Sequence, residues 1–341
     1  MLSQRRTPRA GKAHLWENGI LILDTSDRSI AIAAAMLQAG RLVAMPTETV
    51  YGLAADASNA DAVSRVFAAK GRPANHPLIV HLPATAKLTQ WASHVPDAAD
   101  HLARAFWPGP LTMVLPRHAS VLTAVTGGLG TVALRVPAHP AAQRLLHAFG
   151  GGLAAPSANR FGRVSPTTAL AVDSELAGAV DAIIDGGPCE VGLESTIIAF
   201  VDGEATIVRP GAISPEALAR VLGTRPRTAA SSSVRAPGTL ASHYAPATPL
   251  VLCSPDELAR RAAFLVARGA RVGVLSLERI EAPGVSVALD AGGDMGVLAH
   301  ELFSWLRLAD KEDLDVLVVA MPPEEGIGLA IADRLRRAAH G

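Results

Sequence analysis

Four short polar stretches interrupt otherwise apolar sequence in the first 211 residues, and their residue types suit the handling of a small anion. The first, PTETVYGLAADA at 46–57, sets Thr47, Glu48, Thr49 and Tyr51 directly after an apolar run. Such groups can bind a ligand or cap a turn, and composition leaves both open. The second, KGRPANHPLIVH at 70–81, holds Lys70 and Arg72 on either side of a glycine, then His76 and His81. With a tight turn at the glycine both cations can address a polyphosphate, arginine supplying a planar multi-donor fork. His81 equally suits a satisfied core position. The third, APSANRFGRVSPT at 155–167, offers Ser157 and Asn159 to a ribose, phosphate or carboxylate, although both types also build loops. The fourth pairs GLESTII at 192–198 with VRPG at 208–211, bringing Glu194, Ser195, Thr196 and Arg209.

Arg135, inside the apolar run VALRVP, is the most telling single residue. A guanidinium there must find a partner or carry a heavy desolvation penalty, so a buried anion is implied, from protein or ligand. Lys70, Arg72, Arg135 and Arg209 are thus expected to converge as four cations around an anionic substrate.

The elements that must hold these groups alternate. SIAIAAAMLQAG, capped by Ser29, predicts a helix leading into a strand at LVAMP, and GILILD at 19–24 suits a short edge strand. Ser58 or Asn59 caps a second helix that ends where Gly71 follows Lys70. Strands are expected at 77–82, 111–116, 131–137, 182–185 and 195–201, with 206–209 returning as a hairpin through Asp202 and Gly203. Helices near 97–106, 140–149 and 215–222 separate several of them. The pattern predicts an α/β fold with a large twisted sheet, partly antiparallel. Residues 223–249 have no apolar period and read as a linker, before a smaller α/β unit resembling an open-sheet module in outline. That unit has strands at VLCS, RVGVLSL and DVLVVAM and helices at 257–266, 297–308 and 327–338. Residues 1–18 read as a mobile extension. The divisions are 1–27, 28–222, 223–249 and 250–341.

Many standard chemistries are excluded by motif: there is no GxxxxGK[ST], HExxH, GxSxG, kinase catalytic set or GxGxxG in a dinucleotide context. The 31 basic and 31 acidic residues divide as 21 against 17 up to residue 249 and 10 against 14 beyond it. Neither part has the single-sign charge of a protein that coats nucleic acid or an anionic membrane. Two cysteines, Cys189 and Cys253, are too few for a disulfide framework or a sulfur-ligated metal site. No run of about 20 apolar residues suggests a membrane span, and the basic start lacks the apolar core of a secretory signal. A soluble, cytosolic protein is expected.

PTETVYG, KGRP with HPLIVH, WPGPLT at 107–112, RVPAHP, APSAN with SPT, GLEST and HYAP together resemble the threonylcarbamoyl-AMP synthase family. The resemblance runs over residues 28–249, and GIGLAIADRLRRAA is similar to the C-terminal domain of the two-domain members. It implies a YrdC-like twisted mixed-sheet catalytic domain, then a smaller Rossmann-like open α/β accessory domain. It also implies an enzyme that joins L-threonine, bicarbonate and ATP into L-threonylcarbamoyladenylate and pyrophosphate, for modification of adenosine 37 of tRNA. Threonine would be surrounded by Thr49, His81, Arg135, Ser157 and Ser195. ATP would be held by Arg72, His76, Thr131, Asn159, Ser165, Arg209 and Tyr244, with Lys70 adding charge near the phosphates. Lys70, Arg72 and Arg135 would form the catalytic set. Mg²⁺ would ride on the ATP phosphates, and HYAP would lie over the pocket as a lid. The product would pass to the tRNA threonylcarbamoyl-transfer machinery, with no membrane partner and little or no direct tRNA binding. Three departures stand out: no serine precedes the PG pair of the linker, His76 occupies a position that is often asparagine, and the first 18 residues have no counterpart. Two other readings differ in class. An RNA-binding module would use the same cations without chemistry, which the near-neutral charge disfavours. A hydrogenase-type carbamoyl-adenylating factor would bring acylphosphatase and zinc-finger regions that this sequence lacks.

Overall fold

The computed structural model describes residues 14–15, 20–228, 236–238 and 243–340. Among them, twelve strands form one sheet. Across it they run in the order His14–Leu15, Leu21–Leu23, Ala182–Ile184, Val43–Met45, Gly52–Asp56, Leu153–Ala154, Ile79–His81, Thr131–Arg135, Leu111–Pro116, Thr196–Val201, Glu204–Arg209 and Arg227–Thr228. The sheet is mixed. Ile79–His81 lies parallel to Thr131–Arg135, which is antiparallel to Leu111–Pro116, itself parallel to Thr196–Val201. The hairpin after Val201 turns through Asp202 at φ +51° and Gly203 at φ +81°. Two successive positive φ angles match the right-handed twist of the flanking strands.

Four further strands form a second, wholly parallel sheet in the order Leu250–Cys253, Val316–Ala320, Val272–Ser276 and Val287–Asp290. Its alternating side chains serve two cores, as a period of two requires. Val272, Val274, Val316 and Val318 pack with Leu258 and Ala262 of helix Pro255–Val266. Leu275, Leu317 and Val319 face Leu302 and Leu335 of helices Met295–Lys311 and Gly328–Ala338.

Helix ends follow from local chemistry. Asn59 accepts from the Asp61 and Ala62 amides to start Ala60–Lys70, and Gly71 ends it in the left-handed region at φ +62°. Helix Asp27–Gln38 is capped by Ser26, whose Oγ accepts from the Ser29 amide, so the expected Ser29 cap lies three residues inside the helix. The GILILD strand is not at an edge: Leu21–Leu23 pairs with Ala182–Ile184 on one side and His14–Leu15 on the other. His14–Leu15 falls within the segment read as a mobile extension, and the rest of 1–18 lies outside the described residues. The sequence pattern predicts neither Gly52–Asp56, where Gly and Ala dominate and carry weak β signals, nor Leu153–Ala154, which is only two residues long.

The described parts of the 223–249 linker are built into the structure. Arg227–Thr228 extends the large sheet beside Thr206–Ile207. Ala236 is buried against Ile79, Ala133, Ile197 and Val208 on the sheet face. Residues 229–235 and 239–242, within the proposed lid, lie outside the described residues. No helix among the described residues is long and apolar enough to cross a membrane.

Candidate active site

The loop after Val43–Met45 enters the site through a turn built on Thr47. Its Oγ1 donates to the Val50 carbonyl at 2.6 Å and accepts from the amides of Thr49 and Val50 at 3.2 Å. The turn-forming and ligand-facing readings of this segment are both realised: Thr47 shapes the turn, and Thr49 faces a cavity. Thr49 Oγ1 accepts from Arg135 Nη1 at 2.8 Å.

Arg135 has the buried anion its position demands, and it is Glu48. Arg135 Nη2 lies 2.7 Å from Glu48 Oε1, both side chains being almost wholly buried, and Glu48 Oε2 accepts from the Ala138 amide at 3.0 Å. His81 stands directly across from Arg135 in the parallel ladder. Burial, then the Arg135 charge, push its imidazole down to about 3, so it is neutral near pH 7.

Opposite, Arg209 is held by the Ser195 carbonyl at 2.8 Å from Nη2, the Ser195 hydroxyl at 3.1 Å, and the Pro237 carbonyl at 2.9 Å from Nη1. Ser195 Oγ also meets Thr112 Oγ1 at 2.7 Å. Such proximity requires Gly211, because a Cβ there would fall 2.4 Å from the Ser195 carbonyl carbon. Arg72 closes a third side, donating to the Pro77 carbonyl at 2.9 Å, with Phe161 5.7 Å from its guanidinium carbon. Desolvation lowers its pKa to about 10, which still leaves it charged at neutral pH.

Tyr244 forms the roof. It is buried at φ +64°, its ring stacked on Phe303 at 5.7 Å and edge-on to His243 at 4.2 Å. Gly238, at φ +76°, passes so close that a Cβ would lie 2.3 Å from the Tyr244 hydroxyl and 2.9 Å from Arg209 Nη1. The cavity measures about 40 Å³. That is close to one water's share of about 30 Å³, whereas ligand pockets span roughly 300–1,000 Å³. With Pro237, Gly238, His243 and Tyr244 on its wall the cavity is too small for a nucleotide, which requires these residues to withdraw.

Several buried polar atoms around this cavity have no hydrogen-bond partner among the described residues: Arg72 Nε, His81 Nδ1, His243 Nδ1 and the Tyr244 hydroxyl. Burying such groups unpaired is costly, and a polar ligand would satisfy them.

Of the residues singled out in the sequence, Thr47, Thr49, Arg72, His81, Arg135, Ser157, Glu194, Ser195, Arg209 and Tyr244 line the cavity. Three of the four expected cations converge; Lys70 does not. Its buried ammonium donates to the Ser157 and Asn159 carbonyls at 2.5 and 2.6 Å, holding that loop against helix Ala60–Lys70. Asn159 spends its amide protons on the Arg160 and Arg163 carbonyls, while its Oδ1 is unpartnered. Ser165 donates to Glu194 Oε1 at 2.6 Å. His76 lies edge-on to Phe161 at 5.4 Å, and Thr131 opens its strand opposite Pro116; neither lines the cavity. Glu48 is named in PTETVYG without a partner being assigned to it, and His243 goes unremarked within HYAP. The signal that finds Glu48 as the partner is the need for a carboxylate to neutralise Arg135.

Residues 35–211 match the Sua5/YciO/YrdC family, described as telomere recombination, and residues 213–340 match the C-terminal domain of threonylcarbamoyl-AMP synthase. The threonylcarbamoyl-AMP synthase of Pyrococcus abyssi is 40% identical over 320 residues, covering 91% of this chain and 93% of its own length. That of Bacillus subtilis is 40% identical over 331 residues, covering 94% and 95%. The crystal structure of P. abyssi Sua5 complexed with L-threonine superposes with a TM-score of 0.88 at 38% identity, covering 94% of this chain and 97% of that one.

Proposed function

The chain belongs to the two-domain Sua5/YrdC threonylcarbamoyl-AMP synthase family, and from that premise we infer that the cavity beneath Tyr244 is where its reaction occurs. The enzyme is a nucleotidyltransferase that makes L-threonylcarbamoyl-AMP for the threonylcarbamoyladenosine modification of tRNA. The observation that carries the assignment of the site is a cavity walled by three buried arginines and by polar atoms that lack partners among the described residues.

In this reading L-threonine lies among Thr49, His81, Arg135, Ser157 and Ser195. The Arg135 guanidinium, already oriented by Glu48, addresses the substrate carboxylate or the nascent carbamate. ATP occupies the side of Arg72, Arg209 and Tyr244, with Asn159 Oδ1 free to accept. Ser165 acts through Glu194, and Lys70 acts through the carbonyls it grips. His76 and Thr131 keep the ATP role that the resemblance implies. No side-chain nucleophile is invoked. The threonine amine attacks bicarbonate to give the carbamate and water, and the carbamate oxygen attacks the α-phosphorus as pyrophosphate leaves. The protein aligns reactants and stabilises added negative charge in a site closed to water. His81, held neutral, adds no competing positive charge next to the amine.

Mg²⁺ would enter on the ATP phosphates and neutralise their charge. The described residues contain no cluster of three or more His, Cys, Asp or Glu side chains suited to a metal, and both site carboxylates are tied to arginines. We assign residues 28–222 to catalysis, 223–249 to the lid and 250–341 to the accessory domain. The enzyme would work in the cytoplasm and pass its product to the tRNA threonylcarbamoyl-transfer machinery. The near-neutral charge of both parts supports an indirect connection to tRNA.

The test is pyrophosphate release with mass identification of the adenylate. Release should require threonine, bicarbonate and ATP together, and Arg135→Ala should suppress it. Pyrophosphate formed equally without threonine would overturn the reading.

A further inference from the structure

Arg334 is the largest fully buried side chain among the described residues, yet it belongs to helix Gly328–Ala338 of the accessory domain rather than to the catalytic sheet. Its Nε lies 2.7 Å from Glu194 Oε2, its Nη2 donates to the Pro210 carbonyl at 2.9 Å, and its Nη1 pairs with Asp333. The guanidinium carbon sits 4.9 Å from the centroid of the Tyr244 ring. Glu194 lines the cavity and precedes Ser195, and Pro210 follows Arg209, so one side chain grips a cavity residue, braces Ser195 and Arg209 through their neighbours and contacts Tyr244.

Tyr244 needs such support. A tyrosine in the left-handed region is unfavourable and persists only where its surroundings over-determine it. Both its aromatic support, Phe303, and its cationic support, Arg334, come from the accessory domain. The flat, multi-donor guanidinium can stack on a ring while its edge bonds a carboxylate and a carbonyl, which a lysine cannot do.

We propose that Arg334 is a positioning residue for the synthase reaction: it holds Tyr244 closed over the cavity and, through Glu194 and Pro210, sets Ser195 and Arg209. The accessory domain thereby completes the active site. The proposal rests on the reading of the cavity given above.

A partly buried arginine of the same domain, its side chain 16% exposed, supplies the control. Arg307 also joins the two domains, pairing with Glu175 at 2.8 Å and donating to the Val164 carbonyl, but neither partner lines the cavity. Were Arg334 only a docking residue, Arg307 would be its equivalent.

The experiment compares full-length variants for threonine-dependent adenylate synthesis, with thermal melting as the check on folding. Arg334→Met and Tyr244→Ala are each expected to lower kcat/KM for ATP about tenfold or more, and their combination to fall little below the worse single variant, since residues acting as a unit are not additive. Arg307→Met should multiply with Tyr244→Ala. Arg334→Lys, lacking fork and flat face, should recover only a small part of the loss. The proposal is overturned if the Arg334→Met and Tyr244→Ala losses multiply, if Arg307→Met gives the Arg334→Met pattern, or if lysine restores full activity. Should Arg334→Met not fold, the same cycle with Arg334→Lys decides on the same criterion. A wild-type protein that makes no adenylate would instead refute the assigned reaction, before any variant is compared.

Discussion

Glu48→Gln is the most discriminating single change, because it preserves the side chain's size and removes only its charge. The Arg135 guanidinium, 3% exposed, would lose the carboxylate 2.7 Å away, while the new amide oxygen could still accept from the Ala138 amide. Removing one partner of a buried ion pair costs about 3–5 kcal/mol. In a folding unit of roughly 200 residues each kcal/mol lowers Tm by about 2–4 °C, so the variant should melt about 6–20 °C below wild type. Two companion measurements test the cause. Adding Arg135→Met removes the stranded charge and should recover most of that loss. Threonine, which brings a carboxylate of its own, should raise the Tm of Glu48→Gln more than that of wild type, by preferential binding to the folded state. Thermal unfolding followed by circular dichroism, with and without threonine, reads all three. A Glu48→Gln variant that melts within about 2 °C of wild type, or a double variant less stable than the single one, would refute the argument.

Acid stability should depend on His81. Its imidazole titrates near 6.5 in the unfolded chain and near 3 when buried, so between those values the unfolded state binds the extra proton. Stability is then lost as pH falls from about 6.5, by about 1.4 kcal/mol per pH unit, and His81→Gln should lack that contribution; a wild-type unfolding free energy that falls no more between pH 7 and pH 5 in urea titrations than that of His81→Gln would contradict it. Gly238→Ala forces a left-handed alanine and drives its Cβ to 2.3 Å from the Tyr244 hydroxyl. With a strain of about 1–3 kcal/mol, kcat/KM should fall by about 5-fold to 150-fold, and unchanged kinetics would show that the roof does not close as described. Truncation of residues 223–341 should abolish synthesis or reduce it severely, since it removes Tyr244 and leaves Val50, Val164 and Leu193 without their packing partners. An unaltered rate in the truncated protein would remove the lid from the mechanism.

Most of the fold was legible because the relevant signals are local. Helices 97–106, 140–149 and 215–222 have the expected ends, since Pro, Ser and Gly mark them within one turn. Strand Leu111–Pro116 is equally clear from its unbroken apolar and β-favouring run. Less legible was Gly52–Asp56, where Gly and Ala make the strand because neighbours cover it on both faces, and the linker, whose Ala236 and Tyr244 are buried by contacts that no periodicity encodes.

For the site, the sequence by itself determined the chemistry available: arginines placed among apolar neighbours, hydroxyls at strand ends, and a need for an anion beside Arg135. Burial makes that need a matter of residue type, since a guanidinium in apolar surroundings must be paired wherever the chain goes. Only the tertiary structure decided which groups meet. It brought Glu48 to Arg135, turned Lys70 away from the cavity onto two carbonyls, and delivered Arg334 to Glu194 across 140 residues. Those pairings depend on how two sheets and a connecting segment pack together, and the strength of a buried charge pair depends on distances that sequence order does not contain.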